Sequence, residues 1–364
     1  MTGFIRGTKA LARSAAHALA LALTLVALWL ALPGPAAADD NVVVFAGWGG
    51  PILKSERAYY FTAFEKATGI KVIEVSDINL AKIKTMVDSG NVEWDIVQAL
   101  GLWLAQATPS GPLWEAVDYA AVPADGVPDS IKGKYGVGVQ TFASTLAYNT
   151  KAFPPGKGPA SWAELFDLKK FPGKRGMYNS PRETLEVALM ADGVPADKLY
   201  PLDVERALKR LDQIKGDIVW WDKWPQGANL LASGEYVATE TSHDVVRELI
   251  AEDSTTPIYQ IWNPSPAGLM STDYLSVPRG AKHKANAFKL MSWMLDAQHQ
   301  AEHARASQIG PSNLKALDML DEKTRESLPT YHFQKGELIP RDDSYWAANI
   351  VALSERFNLW KLAN

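Results

Sequence analysis

The chain has 364 residues, of which 47% are hydrophobic, and it contains no cysteine. This length favours roughly two domains, and the lack of cysteine excludes structural disulfides. The formal net charge is −4 at pH 7, and a mildly acidic chain argues against nucleic acid or an anionic membrane as a partner.

The first 38 residues have the pattern of a secretory signal. Three basic residues precede a run over residues 18–32 that is apolar except for Thr24, and three alanines follow a Pro-Gly-Pro sequence. The apolar run is too short to span a bilayer. We therefore expect cleavage before Asp39 and a soluble protein in a Gram-negative periplasm. Because the signal carries three positive charges and no acid, the charge of the mature chain falls from −4 to −7.

The segment after the signal alternates short apolar runs with amphipathic stretches. The runs at 41–46, 70–75 and 94–97 are typical of strands. The apolar spacing within 54–68 and 80–87 predicts a helix after each of the first two strands. This alternation indicates an α/β fold with a parallel sheet and helices on its faces.

Two long extended segments, 135–149 and 270–278, are interpreted as crossings between two lobes. Between and after them the sequence predicts further elements: helices near 161–164, 180–183, 204–214 and 287–295, strands near 218 and 236, and a mostly helical tail from 312. The predicted lobes are residues 39–141 with 270–311, and residues 142–269 with 312–364. Two lobes joined by more than one crossing form a hinge and close on a ligand between them.

A possible metal motif occurs near the end of the chain. His299, Glu302 and His303 match the H-x-x-E-H zinc pattern, and two histidines four residues apart on a helix can share a metal. The same run is typical of a solvated helix end, and matches to such short motifs occur frequently by chance. We expect no catalytic residue, metal or cofactor, and an exported metal-dependent hydrolase is the competing hypothesis.

A glycine-rich turn at residues 47–50 follows the first predicted strand. Such a turn can bind an anion through backbone N–H groups, but it lacks the lysine and serine or threonine of a phosphate-binding loop. We interpret it as a tight turn that brings Trp48 to the carboxyl edge of the sheet. Trp48 is then either a core aromatic residue or a platform in the cleft.

Three further candidates each have two interpretations. Glu183 completes a capping box with Ser180, which explains it without a ligand, or it faces a cationic ligand from a helix that begins at the cleft. Asp273 lies in the second crossing and points either to the surface or into the hinge pocket. The tryptophans at 220–224 form either core or an aromatic wall.

Several segments together resemble the periplasmic substrate-binding proteins of ABC importers, of the spermidine/putrescine-binding type. The resemblance is carried by residues 46–50, 64–72, 93–97, 147–150, 161–165, 171–174, 218–221, 230–235, 273–278, 309–313 and 345–347. It implies the two-lobe type II periplasmic binding protein fold, with hinge-connected lobes and a ligand cleft between them. It further implies a monomer without catalytic activity that captures a polyamine and delivers it to an inner-membrane ABC permease.

The resemblance also implies a ligand site. A buried ammonium requires a carboxylate partner, and aromatic faces add cation–π attraction of roughly 1–2 kcal/mol. The residues that match the family pattern, or lie beside those that do, are Trp48, Arg182, Glu183, Trp221, Asp244 and Asp273.

The sequence departs from the polyamine pattern at several positions. Gly49 and Gly50 replace a hydroxyl or acidic residue, 239–243 lacks an aromatic residue, and Ile309 replaces a tyrosine. A long dication needs anchors at both ends of the cleft, and this chain has fewer of them. An amino-acid-like or opine-like amine such as γ-aminobutyrate is therefore the alternative, with Arg182 or His243 as the contact for its carboxylate. An anion or ferric ion is a third option, and Ile309 disfavours iron.

Overall fold

A computed structural model describes residues 41–363, so the predicted signal lies outside the described residues. The strands are β1 (Val42–Ala46), β2 (Lys71–Val75), β3 (Ile96–Leu100), β4 (Ala107–Thr108), β5 (Gly111–Pro112), β6 (Val137–Asn149), β7 (Arg175–Tyr178), β8 (Ile218–Trp221), β9 (Ala238–Ser242), β10 (Ile258–Ile261), β11 (Gly268–Ser276), β12 (Gly310–Pro311) and β13 (Leu338–Pro340).

The helices are α1 (Gly50–Glu56), α2 (Thr62–Thr68), α3 (Leu80–Ser89), α4 (Gly101–Leu104), α5 (Trp162–Leu165), α6 (Pro181–Ala191), α7 (Val204–Asp212), α8 (Trp224–Ser233), α9 (His243–Glu252), α10 (Lys284–Leu295), α11 (Ala297–Ser307), α12 (Glu322–Glu326), α13 (Pro329–Gln334) and α14 (Asp343–Leu362). A π-helical turn, Arg57–Phe61, joins α1 to α2. No helix within residues 41–363 is long and apolar enough to cross a membrane.

One large mixed sheet organises the fold, with the strand order β2-β1-β3-β11-β6-β9-β7-β8. At one end β1 pairs in parallel with β2 and β3, and at the other end β7 pairs in parallel with β8 and β9. These parallel groups follow from β-α-β connections, which place helices on the faces of the sheet. The predicted strand-helix-strand-helix-strand order of residues 41–100 is confirmed.

The two predicted crossings are the long central strands β6 and β11. They run side by side and antiparallel, from Leu269 opposite Ser144 to Leu275 opposite Val137, and the register shifts between Asp273 and Tyr274. Their extended conformation is confirmed, and the lobe boundaries stay a prediction. Because β11 also pairs with β3, it carries its side chains to the carboxyl end of a parallel strand.

The core follows the apolar patterns of the helices. On α10 the predicted face is buried, including Ala287, Leu290 and Met294, and it packs with Phe45 and Phe61. Full burial of such side chains contributes about 1.5–3 kcal/mol each for the larger ones.

The long helix α14 closes the chain and positions part of the site. The side chain of Asp342 caps it by accepting a hydrogen bond from the N–H of Tyr345 at 2.9 Å. Its first turns pack against α4 and α6, where Trp346 is fully buried. The start of α14 therefore lies beside the start of α6.

Candidate functional site

Asp273 is the most informative carboxylate of the candidate site. It lies in β11 opposite Leu100 and Gln140 and is 5% exposed. Its Oδ2 accepts hydrogen bonds from Trp48 Nε1 at 2.9 Å and Gln140 Nε2 at 3.3 Å. None of the residues 41–363 donates a hydrogen bond to its Oδ1. One oxygen of this buried carboxylate is thus left for another partner.

The pKa of Asp273 reflects this incomplete satisfaction. Burial raises its pKa to about 7, although the hydrogen bonds from Gln140 and Trp48 and the positive charge of Arg182 oppose the rise. The negative charge of Asp244 adds to it. A bound ammonium would supply the missing compensation and favour the ionised carboxylate.

The glycine-rich turn positions Trp48 beside Asp273. Gly47 donates its N–H to the carbonyl of Val75 at 2.9 Å, and Gly49 has a φ of 79°, a conformation that favours glycine. The indole of Trp48 is half-buried and lies 5.7 Å from the ring of Trp103, in a tilted arrangement. The predicted tight turn is confirmed, and it brings Trp48 and Asp273 into contact.

The predicted capping box at the start of α6 is wrong. The side chain of Ser180 makes no cap hydrogen bond, Arg182 is extended, and Glu183 has a φ of 81° and a ψ of −57°. Regular helix begins only at Thr184, and the N–H of Glu183 donates to Glu186 Oε2 at 2.8 Å. The bond from the N–H of Glu183 to the side chain of Glu186 is one of the two hydrogen bonds of a capping box, formed three residues after the predicted one. The side chain of Glu183 does not form the predicted box because it has another partner.

That partner is Arg341, which lies just after β13. Arg341 Nη2 donates to Glu183 Oε1 in an ion pair whose side chains are 1% and 4% exposed. Its Nε lies 3.9 Å from Oε1 of Glu186. Burial opposes the charge of Arg341, but the two glutamates outweigh it and raise its pKa. Oε1 of Glu183 thus has a cationic partner within the protein, while its Oε2 is buried without a hydrogen-bond partner among the described residues.

Glu186 completes this buried network. Its Oε1 accepts hydrogen bonds from Trp346 Nε1 at 2.7 Å and from the hydroxyl of Tyr200 at 2.8 Å. Burial raises the pKa of Glu186, and Arg341 opposes the rise. The segment that begins at Arg341 therefore holds α6 at two acidic residues.

Arg182 is close enough to both this network and Asp273 for their charges to interact. Its side chain is 16% exposed, and its Nη2 is 3.8 Å from Asp343 Oδ1, beyond hydrogen-bond distance. Its Nε is buried and donates to no described residue. Burial lowers the pKa of Arg182, and the nearby charge of Arg341 lowers it further. Arg182 thus has guanidinium N–H groups available for an anion.

Asp244 and His243 start α9. Asp244 Oδ1 accepts a hydrogen bond from the hydroxyl of Ser242. His243 is buried, its Nδ1 accepts from the N–H of Ala143 at 3.2 Å, and burial lowers its pKa to about 4. A neutral ring with an occupied nitrogen is a poor carboxylate partner, so Arg182 is the better of the two candidates.

The structure places Trp221 in the core, apart from these residues. It is fully buried, stacks on Tyr178 with ring centroids 4.8 Å apart, and its Nε1 donates to Thr239 Oγ1 at 3.2 Å. Trp220 packs against Phe357. We therefore leave Trp221 out of the site.

The histidines of the H-x-x-E-H motif pack against aromatic rings. His299 stacks on Trp293 at 3.8 Å, and His303 packs against Tyr60 at 4.7 Å. Burial lowers the pKa of His303 to about 3. Within residues 41–363, no three acidic or histidine side chains are arranged to hold a metal ion, so we do not propose a hydrolase.

A cavity of about 280 Å³ lies beside the crossing strands and the segment that leads into α14, where Thr272, Tyr274, Arg341 and Asp343 are among the residues that line it. Asp273 is not one of its lining residues, although its two neighbours in β11 are. The cavity therefore borders the Arg341 segment, and we do not place the ligand in it.

Sequence reasoning missed Gln140, Arg341 and Asp343. Gln140 interrupts an otherwise largely apolar extended run, and a polar residue at such a position is a usable signal. Arg341 and Asp343 are ordinary charged residues in a polar stretch, and nothing local distinguishes them.

Comparison with known proteins defines the class of this chain. Residues 59–330 match the family described as bacterial extracellular solute-binding protein, and the chain belongs to that family. It is the substrate-binding component of an ABC importer, which binds a small solute outside the cytoplasm and delivers it to a membrane permease.

Individual relatives allow a more specific comparison than the family does. The chain is 31% identical over 340 residues to the gamma-aminobutyric acid-binding protein of Pseudomonas aeruginosa, covering 91% of this chain and 94% of the relative. It is 34% identical to a structure of a GABA receptor, with a TM-score of 0.79 and coverage of 89% and 98%. It is 32% identical to the binding protein AgtB of Agrobacterium tumefaciens in complex with agropinic acid, with a TM-score of 0.75 and coverage of 88% and 99%.

The polyamine-binding type is more distant. The spermidine/putrescine-binding periplasmic protein of Escherichia coli is 23% identical over 316 residues, covering 84% of this chain and 87% of the relative. The comparisons confirm the α/β fold of periplasmic binding proteins and the predicted transport role. They support the narrower polyamine assignment only through distant relatives.

Proposed function

We propose that this protein captures a small zwitterion of the γ-aminobutyrate type in the periplasm. The observation that carries the proposal is the presence of two incompletely satisfied, opposite charges in one site. Asp273 has an oxygen without a donor, and Arg182 has a buried N–H without an acceptor. Burial of an uncompensated charge is costly, and a ligand with both charges relieves both costs.

Asp273 and Trp48 form the ammonium end of the proposed site. The ligand ammonium donates to Asp273 Oδ1, while Oδ2 keeps its bonds to Trp48 and Gln140. The indole face of Trp48 contacts the ammonium and the adjacent methylene groups, which adds cation–π attraction. The charge of Asp244 adds a negative potential at this end.

Arg182 forms the carboxylate end. A guanidinium binds a carboxylate through two parallel N–H···O bonds, a geometry that lysine or histidine lacks. Asp343, at 3.8 Å, balances part of its charge in the free protein. Binding then biases the equilibrium toward the state in which both ends are engaged.

A polyamine fits this arrangement less well. Its second ammonium would meet Arg182 instead of an acid, and like charges brought together in a buried site disfavour binding. Glu183, the acid expected to receive that ammonium, is already paired with Arg341. The relatives named for γ-aminobutyrate and agropinic acid also support a ligand that carries a carboxylate.

The test is isothermal titration of the ligand-free protein at pH 8 with γ-aminobutyrate, putrescine, n-butylamine and butyrate. We expect γ-aminobutyrate to bind most tightly, because the two four-carbon monofunctional probes each engage one end only. Asp273→Asn and Arg182→Met should each weaken γ-aminobutyrate binding by roughly 30-fold or more, as expected for truncating a buried charged pair.

Glu240→Gln is the matched control for Asp273→Asn. Glu240 is fully buried in β9, and burial raises its pKa to about 8. It makes no contact with Asp273, and the amide oxygen of a glutamine can still accept from the N–H of Tyr178 and the hydroxyl of Thr184, so the substitution should leave the dissociation constant within about twofold. Tighter binding of putrescine than of γ-aminobutyrate would overturn the proposal in favour of a polyamine.

A further inference from the structure

We propose that Arg341 is a positioning residue that makes this protein select ligands with a carboxylate. Through its ion pair with Glu183, it fixes the orientation of the neighbouring Arg182. This inference rests on the proposed function, because it assigns a cause to the carboxylate preference of the same site.

The first step is the anchoring of Arg341 to the strand that carries Asp273. Strand β13 pairs in parallel with β11, and the N–H of Arg341 donates to the carbonyl of Met270 at 3.0 Å. Met270 is three residues before Asp273. The backbone of Arg341 is therefore fixed relative to the ammonium end of the site.

The second step is the unusual backbone of Glu183. A glutamate with a φ of 81° and a ψ of −57° adopts a conformation that non-glycine residues rarely take. Such conformations persist only where the surroundings enforce them. Here the side chain of Glu183 is held by Arg341, and its N–H is held by Glu186 Oε2 at 2.8 Å.

The third step is the common origin of these restraints. Trp346 on α14 donates to Glu186, and Asp343 on the same helix lies 3.8 Å from Arg182. The short stretch from Arg341 to Trp346 thus approaches Arg182 through Asp343. It also contacts Glu183 and Glu186, which restrain the backbone next to Arg182. No comparable restraint is formed by Ser180, whose side chain does not cap the helix.

The ion pair therefore determines the orientation of the Arg182 guanidinium. Bidentate recognition of a carboxylate requires a guanidinium in a defined plane. If Glu183 relaxed to an ordinary helical conformation, the extended backbone of Arg182 would turn with it. The guanidinium would remain in the chain but would no longer face Asp273 across the ligand.

The experiment compares affinity for γ-aminobutyrate with affinity for n-butylamine, which has the same ammonium and chain length but no carboxylate. The main variant is the double substitution E183Q/R341M, which removes both buried charges together, and E183Q alone is measured beside it. We expect the preference for γ-aminobutyrate to fall at least 10-fold in the double variant. Affinity for n-butylamine should change less than threefold. R341K keeps a cation opposite Glu183 and should therefore retain part of the preference that E183Q/R341M loses.

Arg356→Met is the matched control. Arg356 lies on α14 and, like Arg341, pairs with a glutamate of a helix, here Glu205 of α7, but both side chains are about half-exposed or more. This variant should keep both affinities.

Each remaining outcome has one reading. If folded E183Q/R341M loses affinity for both probes by the same factor, or keeps the wild-type preference while R182M loses it, Arg341 does not position Arg182 and the inference is wrong. In the second case the proposed function stands. If the wild type itself does not prefer γ-aminobutyrate over n-butylamine, the proposed function is wrong. Should the double variant not fold, the same ratio measured on E183Q, where Arg341 keeps Glu186 as a partner, decides.

Discussion

Two buried carboxylates at the candidate site, Asp273 in β11 and Glu183 at the start of α6, have different surroundings. The donors to Asp273 are the neutral side chains of Trp48 and Gln140, both on the same oxygen. The donor to Glu183 is the cationic side chain of Arg341. Neutral donors leave most of the negative charge uncompensated, whereas an internal arginine compensates it.

This difference assigns the two residues to different tasks. A buried carboxylate without a cation has a raised pKa and gains most when a ligand brings a positive charge. A carboxylate that already has a buried arginine gains little from a ligand but fixes the backbone around it. Residue type and burial alone do not separate the two tasks, and the identity of the donor does.

The largest expected effect tests the Glu183 half of the comparison through stability. Arg341→Met leaves the charge of Glu183 buried and unpaired, and breaking a buried pair in this way costs about 3–5 kcal/mol. We expect a loss of that size in the free energy of unfolding, measured by urea denaturation at pH 7 on ligand-free protein.

Two further variants show whether the loss comes from the unpaired charge. E183Q/R341M should recover most of the stability, since it leaves no charge unpaired. Arg356→Met, which breaks an exposed pair, should cost less than about 1 kcal/mol. Equal losses in R341M and R356M would contradict the assignment of Arg341 as the internal partner of Glu183.

The next effect, of similar size, tests the surroundings of Asp273 through the pH dependence of the unfolding free energy. Because burial raises the pKa of Asp273 to about 7, the folded protein binds a proton that the unfolded chain releases near pH 4. Stability from this group is therefore highest below pH 4 and falls as the pH rises to about 7, by roughly 4 kcal/mol in total. Asp273→Asn cannot lose a proton and should lack this decline.

The measurement is the difference in unfolding free energy between the wild type and D273N from pH 4 to pH 8, without ligand. Glu240, with a pKa raised to about 8, contributes to the slope of both proteins and cancels in the difference. As the pH rises, the unfolding free energy of the wild type should fall increasingly below that of D273N. Saturating γ-aminobutyrate should reduce this difference. A difference independent of pH would show that Asp273 is ionised throughout.

The sequence allowed prediction of most elements and of several candidate site residues, whose role in binding stays a prediction. Apolar periodicity located β1 to β3 and α10, and the glycine turn located Trp48, because these features depend on residues close together in the chain. The extended run around Asp273 left it open between the surface and the pocket, and the family resemblance favoured the pocket. The sequence left the ligand open between a polyamine and an amino-acid-like or opine-like amine, and the pairing of Glu183 with Arg341 favours the second.

The pairing of Glu183 with Arg341 could not be predicted for a physical reason. Glu183 and Arg341 are 158 residues apart, and the local sequence around Glu183 satisfies a capping box equally well. The long-range ion pair overrides the cap in the folded chain. For Trp221, the tryptophan-rich run is compatible with core or cleft, and only the sheet register, which places it beside Tyr178, decides between them.

The smallest expected effect tests how a neutral donor acts on Asp273. Trp48→Phe keeps an aromatic face but removes the N–H that bonds to Oδ2 at 2.9 Å. Because that hydrogen bond lowers the pKa of Asp273, its loss raises the pKa further and leaves less carboxylate at pH 7. We expect γ-aminobutyrate affinity to fall about fivefold at pH 7, corresponding to about 1 kcal/mol, and less at pH 9, where the carboxylate is ionised in both proteins.

Titration calorimetry at the two pH values measures this change in affinity. Trp103→Phe, which changes a ring packed on Trp48 without touching Asp273, is the control. An equal loss at both pH values would mean that Trp48 acts through its aromatic face alone, and that the neutral donors do not set the proton affinity of Asp273.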